Sequence, residues 1–320
     1  MPTAVQITRT GGPEVLEVAE IEVPAPQAGE LLVDVAAAGV NYIDTYQRQG
    51  IYPIELPFVL GMEGSGTVVE AGADAGFAPG DRVAWQGSLG SYASRKIVPA
   101  SIAVKVPEDV SLETAAATML QGITAHYLVA STYQVKPGDD VLVHAAAGGV
   151  GLLLVQLAKA RGARVIATVS TEEKAKLARE AGADEVIGYE DFAKVTRDLT
   201  GGVGVDVVYD GVGKDTYEGS LASLKIRGLL ALFGASSGPV PPIDPQSLNS
   251  GGSLYLTRPT SGHYVRTREE LDWRAKELFD AIIAGELNIR IGGTYPLADT
   301  RRAHEDLQGR RTTGKLLLIP

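Results

Sequence analysis

Residues 136–161 read KPGDDVLVHAAAGGVGLLLVQLAKAR. After a turn at residues 137–139, the apolar run from Val141 to Ala145 predicts a strand, and the apolar positions from Leu152 to Ala158 predict a helix. The loop between them, residues 146–151, is the dinucleotide pattern G-x-G-x-x-G with alanine in the first place. In such a loop the glycines let the backbone approach a pyrophosphate, which the N–H groups at the helix N-terminus then bind.

Two glycines of this loop have separate tasks. Gly148 would let the backbone come close to the phosphates, and Gly151 would let the helix pack on the strand. A small-residue turn that binds no nucleotide is the alternative interpretation of the bare motif. The residues expected at the phosphates are Ala147, Gly148, Gly149, Val150 and Gly151.

The composition is that of an acidic globular protein. The 320 residues are 45% hydrophobic, which allows a large core, and the length predicts two domains. A net charge of −10 opposes long-range attraction to nucleic acid or to an anionic membrane. Because the chain has no cysteine, disulfides, cysteine-ligated zinc, iron–sulfur clusters and thiol nucleophiles are excluded. The N-terminus has no apolar core of signal-peptide type, so we expect a cytoplasmic protein.

The first part of the chain, residues 1–121, predicts an irregular, mostly β domain. Short strand-like runs alternate there with turns rich in glycine and proline. Residues 39–52 combine polar and aromatic side chains without an apolar period, which predicts a loop. A second loop is expected at residues 60–66, where glycines interrupt the strands. The helical pattern that follows begins at Ser111, its expected N-cap, and runs to Val129.

Residues 122–262 alternate between strand and helix patterns. This alternation predicts an α/β, doubly wound parallel sheet with helices on both faces. The strands are apolar at consecutive positions, as expected when both faces are covered. Strands are expected at residues 141–145, 164–169, 185–188, 205–209, 229–233 and 253–257, helices at 152–161, 172–181, 191–199 and 216–224, and a loop at 234–252.

The tail of the chain departs from this alternation. A helix is expected where Thr267 and Glu270 stand at capping-box spacing, followed by a short helix near residues 300–307 and a strand at 316–319. We expect the tail to fold back onto the first domain and make it discontinuous. The expected domains are residues 1–121 with 263–320, and residues 122–262.

These residues resemble the zinc-free medium-chain dehydrogenase/reductase family, and within it the NADPH:quinone oxidoreductases of the zeta-crystallin type. The family signature joins Gly-acidic-x-x-Leu, small residues, Gly-Gly-x-Gly and Gln-x-x-Lys, and it runs here from Gly138 to Lys159. Shorter matches extend over essentially the whole chain. They include Gly39-x-Asn41-x-x-Asp44, Gly50-x-Tyr52-Pro53, Glu63-Gly64-x-Gly66, Tyr209-Asp210-x-Val212-Gly213 and Gly314-Lys315.

The resemblance implies a fold, a reaction and a partner. It implies a GroES-like, mostly β catalytic domain, a Rossmann domain that binds NADPH, and an active site in the cleft between them. The substrate would be a quinone or a related electron-poor acceptor. A homodimer is also implied, formed through the edge strand at residues 253–257, and an apolar edge strand should not be left bare.

Zinc catalysis is not expected. Zinc-dependent relatives use cysteine ligands and the histidine of a Gly-His-Glu motif, whereas this chain reads Gly61-Met62-Glu63 and has no cysteine. Its histidines lack the paired spacing of metal ligands, so surface or core positions are the better interpretation for them. They are His126, His144, His263 and His304.

Without a metal, hydride transfer relies on positioning and on stabilisation of the developing negative oxygen. By residue type and family match, the polar groups that suit this task are Asn41, Asp44, Tyr46 and Tyr52. The alternative, that they only cap and pack a loop, stays open, above all for Asp44 and Tyr46. Further nucleotide contacts are expected at the start of the nucleotide domain and after two later strands. The candidates are Gln121, Thr124, Asp210, Phe233, Gly234 and Ala235.

The end of the second strand of the nucleotide domain favours NADPH over NADH. NAD sites usually carry an acid about 20 residues beyond the glycines, on the ribose 2′-hydroxyl. Here the hydroxyl of Ser170 and the ammonium of Lys174 would suit a 2′-phosphate, together with Tyr189 and Arg310 if, as the resemblance suggests, they reach the same place. Glu172 as the ribose-binding acid is the alternative.

If the acids of this segment begin a helix, they are not placed on the ribose 2′-hydroxyl. Ser170 and Glu173 fit a capping box, which would assign the acids of this segment to the beginning of the next helix.

Two rival functions remain at this stage. Reduction of an α,β-unsaturated aldehyde or ketone also sends a hydride to an electron-poor conjugated system. From another class comes a crystallin-like or RNA-binding role, because zeta-crystallin relatives serve as lens proteins or bind AU-rich RNA. The acidic charge and the intact glycine loop oppose that role.

Overall fold

The computed structural model describes residues 1–320, whose contacts divide the chain into two compact units. The first unit comprises Met1–Ile123 and Val265–Pro320, and the second comprises Thr124–Tyr264. The strands are β1 (Thr3–Ile7), β2 (Glu17–Glu20), β3 (Glu30–Val40), β4 (Phe58–Val59), β5 (Glu63–Ala71), β6 (Arg82–Gln86), β7 (Arg95–Pro99), β8 (Ala103–Lys105), β9 (Asp140–Val143), β10 (Arg164–Thr168), β11 (Glu185–Ile187), β12 (Val205–Asp210), β13 (Leu224–Leu232), β14 (Tyr255–Thr257), β15 (Ile291–Pro296) and β16 (Lys315–Ile319). The helices are α1 (Tyr42–Arg48), α2 (Leu112–Tyr127), α3 (Gly149–Ala160), α4 (Glu172–Glu180), α5 (Phe192–Leu199), α6 (Tyr217–Ser223), α7 (Pro245–Ser250), α8 (Arg268–Ile283) and α9 (Thr300–Gln308).

The second unit is built on a six-stranded sheet in which all neighbouring strands are parallel. The order is β11-β10-β9-β12-β13-β14, so the chain starts in the middle, runs to one edge, returns and runs to the other. This is the doubly wound order of dinucleotide-binding folds, in which the ligand binds at the carboxyl ends of the strands where the order reverses. That point lies between β9 and β12.

The first unit contains a seven-stranded sheet and a small three-stranded sheet. The larger one runs β15-β16-β3-β5-β6-β8, with β7 also paired to β3, and the smaller one runs β2-β1-β4. Strand β16, from the end of the chain, pairs antiparallel with β3 and so completes this sheet. Its core includes the fully buried side chains of Ile7, Leu31, Val33, Trp85 and Leu318.

The predicted loop at residues 39–52 is wrong in part, because it contains helix α1. The buried side of this helix is polar, with Asp44, Gln47 and Arg48 all at 5% exposure or less, so no apolar period marks it. The helix is held at its start by the carboxylate of Asp44, which accepts a hydrogen bond from the backbone N–H of Asn41 at 2.8 Å. Burying polar groups is costly, and two oxygens of this face, Asp44 Oδ1 and Gln47 Oε1, have no hydrogen-bond partner in the protein.

Other predicted element limits also differ from the structure. Residues 63–66 of the second predicted loop belong to strand β5, where glycine is needed because a Cβ on Gly66 would lie 2.1 Å from the carbonyl oxygen of Asp34. The predicted loop 234–252 contains α7, which begins with Pro245 after Asp244 as its N-cap.

Two more boundaries move. Strand β13 begins at Leu224 rather than Leu229. Helix α4 is capped by Thr171, whose hydroxyl accepts from the N–H of Lys174, and not by Ser170. The capping box of Thr267 and Glu270 is confirmed. None of the helices is both long enough and apolar enough to cross a membrane.

Candidate functional site

The glycine loop follows β9, the strand at which the order of the second unit's sheet reverses. Gly148 is the N-cap residue of α3, so the first N–H groups of that helix lack intrahelical partners and its positive dipole end faces the loop. A Cβ on Gly151 would lie 2.3 Å from the carbonyl oxygen of Ala145, too close for any side chain. The loop therefore has the close helix–strand packing and the free donors that a pyrophosphate requires.

A buried hydrogen-bond network is centred on His144, which lies between β9 and this loop. His144 Nδ1 lies 2.8 Å from the Thr168 hydroxyl at the end of β10, and its Nε2 lies 2.9 Å from the Ser220 hydroxyl on α6. The Ser220 hydroxyl donates to Asp210 Oδ2, so His144 must donate from Nε2 and accept at Nδ1. Burial lowers the pKa of His144 to about 4, which keeps the ring neutral. The network ties together the ends of β9, β10 and β12.

Asp210, a candidate cofactor contact, has its carboxylate fully used within the second unit. Oδ1 accepts the N–H groups of Val212 and Gly213, and Oδ2 accepts the hydroxyls of Thr216 and Ser220. Its carbonyl oxygen accepts the N–H of Phe233 at 2.9 Å, which brings the candidate segment 233–235 beside the end of β12. Asp210 therefore shapes this edge of the sheet, and the segment 233–235 lies at the same carboxyl edge as the glycine loop.

The candidates for a 2′-phosphate follow the ends of β10 and β11. Ser170 is exposed and Lys174 is half-buried in the first turn of α4. The Tyr189 hydroxyl accepts the N–H of Ala145 at 2.9 Å, and its ring stacks against His144. Glu172, the alternative ribose ligand, pairs instead with Arg179 at 2.7 Å.

Asn41 stands at the centre of a buried polar cluster in the first unit. Its Nδ2 donates to Glu63 Oε1 at 2.6 Å, and its Oδ1 accepts from Lys315 Nζ at 2.8 Å and from Gln121 Nε2 at 3.2 Å. Lys315 also donates to Glu63, whose second oxygen accepts the N–H of Leu120. The cluster joins β3, β5, β16 and α2, and it places Gln121 next to Asn41.

Asp44 lies at one end of a buried series of hydrogen bonds in the same unit. Its Oδ2 accepts the Tyr92 hydroxyl at 2.7 Å, and the Tyr92 oxygen lies 3.3 Å from His304 Nε2. His304 Nδ1 lies 2.9 Å from Arg48 Nη1, whose guanidinium also donates to Gln308. Burial raises the pKa of Asp44 to about 7, although the hydrogen bond from Tyr92 opposes that rise. Burial, together with the charge of Arg48, lowers the pKa of His304 to about 3.

The remaining candidates lie around α1. Tyr46 packs edge-on against Tyr52, with 5.8 Å between ring centroids, and Tyr52 is 44% exposed. Arg310 follows α9 in the first unit, and its charge beside the Tyr42 hydroxyl opposes the rise in pKa that burial gives this phenol. Thr124 is the first residue of the second unit, within α2.

The residues of this chain do not fit a catalytic zinc ion. No group of three His, Cys, Asp or Glu side chains could hold a metal. Met62 stands where zinc-dependent relatives have histidine, and its sulfur lies 3.3 Å from Gln47 Nε2.

Several buried residues were not singled out from sequence. Glu63 and Lys315 stood in family matches without an assigned role, and Tyr92 and Arg48 carried no signal. His304 was assigned to the surface or the core, and it is a fully buried core residue. No local pattern could reveal these contacts, because the residues that they join lie 22 to 274 positions apart in sequence.

Comparison with known proteins supplies independent evidence. A family model described as alcohol dehydrogenase GroES-like domain matches residues 27–108, and one described as zinc-binding dehydrogenase matches residues 149–276. A mycobacterial protein solved in complex with NADPH is 56% identical, with a TM-score of 0.97 over 100% of both chains. Quinone oxidoreductase of Escherichia coli, solved in complex with NADPH, is 45% identical, with a TM-score of 0.97 over 99% of this chain and 100% of that one. A 2-haloacrylate reductase of a Burkholderia species is 44% identical over 100% of this chain and 99% of its own length.

Proposed function

The chain belongs to the zinc-free medium-chain dehydrogenase/reductase family, and from this membership we propose that it reduces quinones with NADPH. The observation that carries the proposal is the full-length similarity to a quinone oxidoreductase that binds NADPH, joined to a glycine loop at the reversal point of the sheet. The second unit holds the nucleotide. The first unit supplies the polar groups for the acceptor.

NADPH fits the residues at the carboxyl edge of the second unit's sheet. Residues 147–151 would hold the pyrophosphate through backbone N–H groups and the dipole of α3. Ser170, Lys174 and Tyr189 would hold the adenosine 2′-phosphate, since each offers a donor and no acid follows β10 before the cap of α4. When bound, NADPH supplies the hydride.

The first unit contributes positioning rather than a metal. Asn41 is fixed by Glu63 and Lys315, so its amide has a single orientation. Its Nδ2 donates to Glu63 and to the carbonyl oxygen of Gly39, so Asn41 would orient the polar lining of the acceptor site rather than donate to the developing oxyanion. The tyrosines Tyr46 and Tyr52 would line the approach of an aromatic acceptor, because Tyr52 is exposed and the two rings pack together.

A second candidate function is reduction of an activated carbon–carbon double bond. The full-length relative named 2-haloacrylate reductase favours it, since that name describes an electron-poor alkene substrate. Both reactions use the same nucleotide site and differ only in the acceptor.

The deciding experiment measures nucleotide binding and then turnover. NADPH and NADH are titrated against the protein by fluorescence. Oxidation of the preferred nucleotide is then followed with 1,4-benzoquinone, 9,10-phenanthrenequinone, a 2-alkenal and a 2-haloacrylate. Higher kcat/KM for the quinones supports the proposal, and higher kcat/KM for the alkenes supports the second candidate. A protein that binds neither nucleotide is not a reductase of this kind.

A homodimer is part of the proposal. Strand β14 ends the sheet of the second unit, so one row of its backbone groups has no strand beside it. Tyr255 on β14 is 60% exposed and Ile226 on the neighbouring strand β13 is 73% exposed, an apolar surface that a second copy of the chain would cover.

A further inference from the structure

We propose that Tyr92 and His304 are positioning residues of the acceptor site, which act through Asp44 on the start of α1 and on the backbone of Asn41. This inference rests on the proposed function, since it gives two buried residues a task in the same reduction. Tyr92 and His304 are both 0% exposed, so they act through other groups rather than by touching an acceptor.

One oxygen of Asp44 carries both relevant hydrogen bonds. Oδ2 accepts the backbone N–H of Asn41 at 2.8 Å and the hydroxyl of Tyr92 at 2.7 Å. Asn41 is the N-cap residue of α1, and its extended backbone depends on that bond. Because Tyr92 fixes the orientation of the carboxylate, loss of its hydroxyl would free Asp44 to rotate away from Asn41.

Arg48 determines which group donates and which accepts in the series of hydrogen bonds that leads through His304 to Tyr92. A guanidinium can only donate, so Arg48 Nη1 forces His304 Nδ1 to accept and places the ring proton on Nε2. That proton points to the Tyr92 oxygen at 3.3 Å, which leaves the hydroxyl hydrogen of Tyr92 for Asp44. Arg48 is itself held by Gln308 and by the carbonyl oxygen of Gly11. Each step has one donor and one acceptor, so the chain supports a single arrangement.

The same geometry determines where a proton sits on Asp44. Both donors use Oδ2, and Oδ1 has no hydrogen-bond partner in the protein, so neutral Asp44 carries its proton on Oδ1. The groups that face this carboxyl are Tyr92 from the segment after β6, Lys315 from β16 and Glu63 from β5. Burial is the largest influence and raises its pKa to about 7, so the hydrogen bond to Asn41 changes strength near neutral pH.

The first test follows the Asn41 amide by ¹H–¹⁵N NMR in the full chain from pH 5.5 to 9. We expect the wild-type amide to titrate with a midpoint near 7, following Asp44. Tyr92→Phe should move the midpoint upward by about 1 to 2 pH units, because the ionised carboxylate loses a donor. Tyr295→Phe is the matched control, since it removes a tyrosine hydrogen bond to Asp306 in the same unit, and it should leave the midpoint unchanged.

A second pair of variants tests His304 without altering Tyr92. His304→Leu removes the donor to Tyr92 and should move the midpoint in the same direction as Tyr92→Phe. His304→Gln offers one acceptor and one donor and should restore the wild-type midpoint. An Asn41 amide that does not titrate, or one that responds equally to Tyr295→Phe, overturns the proposal.

Kinetic measurements test whether this series of hydrogen bonds affects the reaction. With 1,4-benzoquinone, the pH at which kcat/KM changes should follow the NMR midpoint in every variant, while the Kd for NADPH stays constant. An unchanged kinetic profile in Tyr92→Phe overturns the positioning role even if the amide shifts. If the wild-type protein binds NADPH but reduces no quinone, the proposed function fails, and the NMR result alone decides whether Tyr92 and His304 hold Asn41.

Discussion

The ammonium of Lys315 donates to the carboxylate of Glu63 in the interior of the first unit, where both side chains are at most 1% exposed. The two residues are 252 positions apart in sequence, and their pairing links β16 at the end of the chain to β5. Asn41 binds both of them, so the charge pair and the candidate acceptor site form one cluster. A buried pair of this kind tolerates the loss of one partner poorly, because the other charge is left uncompensated.

Lys315→Met should therefore destabilise the first unit. Removing one partner of a buried pair costs about 3 to 5 kcal/mol, and here Asn41 loses a hydrogen-bond donor as well. Urea unfolding measured through the fluorescence of Trp85 and Trp273 would record the change. Lys276→Met is the control, since its pair with Asp280 is exposed on α8 and is worth less than about 0.5 kcal/mol. Equal losses of unfolding free energy in Lys315→Met and Lys276→Met would show that the buried pair contributes no more to stability than the exposed pair.

Lys174→Ala should weaken NADPH binding and leave NADH binding nearly unchanged. Lys174 is in the first turn of α4, which begins shortly after the exposed Ser170, and only NADPH carries the 2′-phosphate. Loss of one charge-assisted contact corresponds to about a 10-fold to 100-fold increase in Kd. Fluorescence titration of both nucleotides measures it. Lys176→Ala, on the same helix, removes an exposed ammonium that pairs with Glu180, and it should change neither Kd.

The second unit was largely predictable because its elements carry their own signals. Strands β9, β10 and β12 are apolar at consecutive positions and are covered on both faces, so they stand out from the helices between them. The glycine loop was predictable for a related reason, since close packing at Gly151 excludes any side chain and leaves a local pattern.

In the first unit, helix α1 and its buried polar contacts could not be predicted from the sequence. Helix α1 turns Asp44, Gln47 and Arg48 inward, so its buried face reads as a polar loop. Its polar partners Tyr92 and His304 come from distant segments and carry no spacing rule. Type and family match identified Asn41 and Asp44 as candidates, whereas the hydrogen bonds that orient them needed the folded chain.

Gly151→Ala should abolish tight nucleotide binding. The new Cβ would lie 2.3 Å from the carbonyl oxygen of Ala145, so α3 would have to move away from β9 and take its N–H groups with it. Overpacking of this kind costs about 1 to 3 kcal/mol. Gly262→Ala, in the same unit but with nothing within 4 Å of the new Cβ, serves as the control. NADPH titration and thermal unfolding of both variants test the prediction, and a wild-type Kd in Gly151→Ala would show that the loop does not hold the phosphates.

Tyr255→Lys should convert a dimer into monomers. An ammonium at the start of β14, on the exposed apolar edge, would be desolvated by a second copy, which costs several kcal/mol unless it is paired. Light scattering coupled to gel filtration measures the mass, which is 33.5 kDa for one chain. Trp273→Lys, at a 42% exposed aromatic residue of the first unit, is the control for a charge placed on an exposed aromatic position. A wild-type monomer would remove the dimer from the proposal.

His144 should make the second unit sensitive to acid. Its pKa is about 4 in the folded chain and 6.5 in the reference state, so the unfolded chain binds the extra proton between these values. The stability that the neutral imidazole provides is complete above pH 6.5 and is lost as the pH falls through 4, in total roughly 3 kcal/mol. His144→Gln keeps an acceptor for Thr168 and a donor for Ser220 but cannot take up the proton. Urea unfolding at pH 7 and at pH 4.5 should therefore show a smaller difference for this variant than for the wild type. His263→Gln, at an exposed histidine of the same unit, should retain the wild-type difference, and a similar flattening there would mean that His144 is not the group responsible.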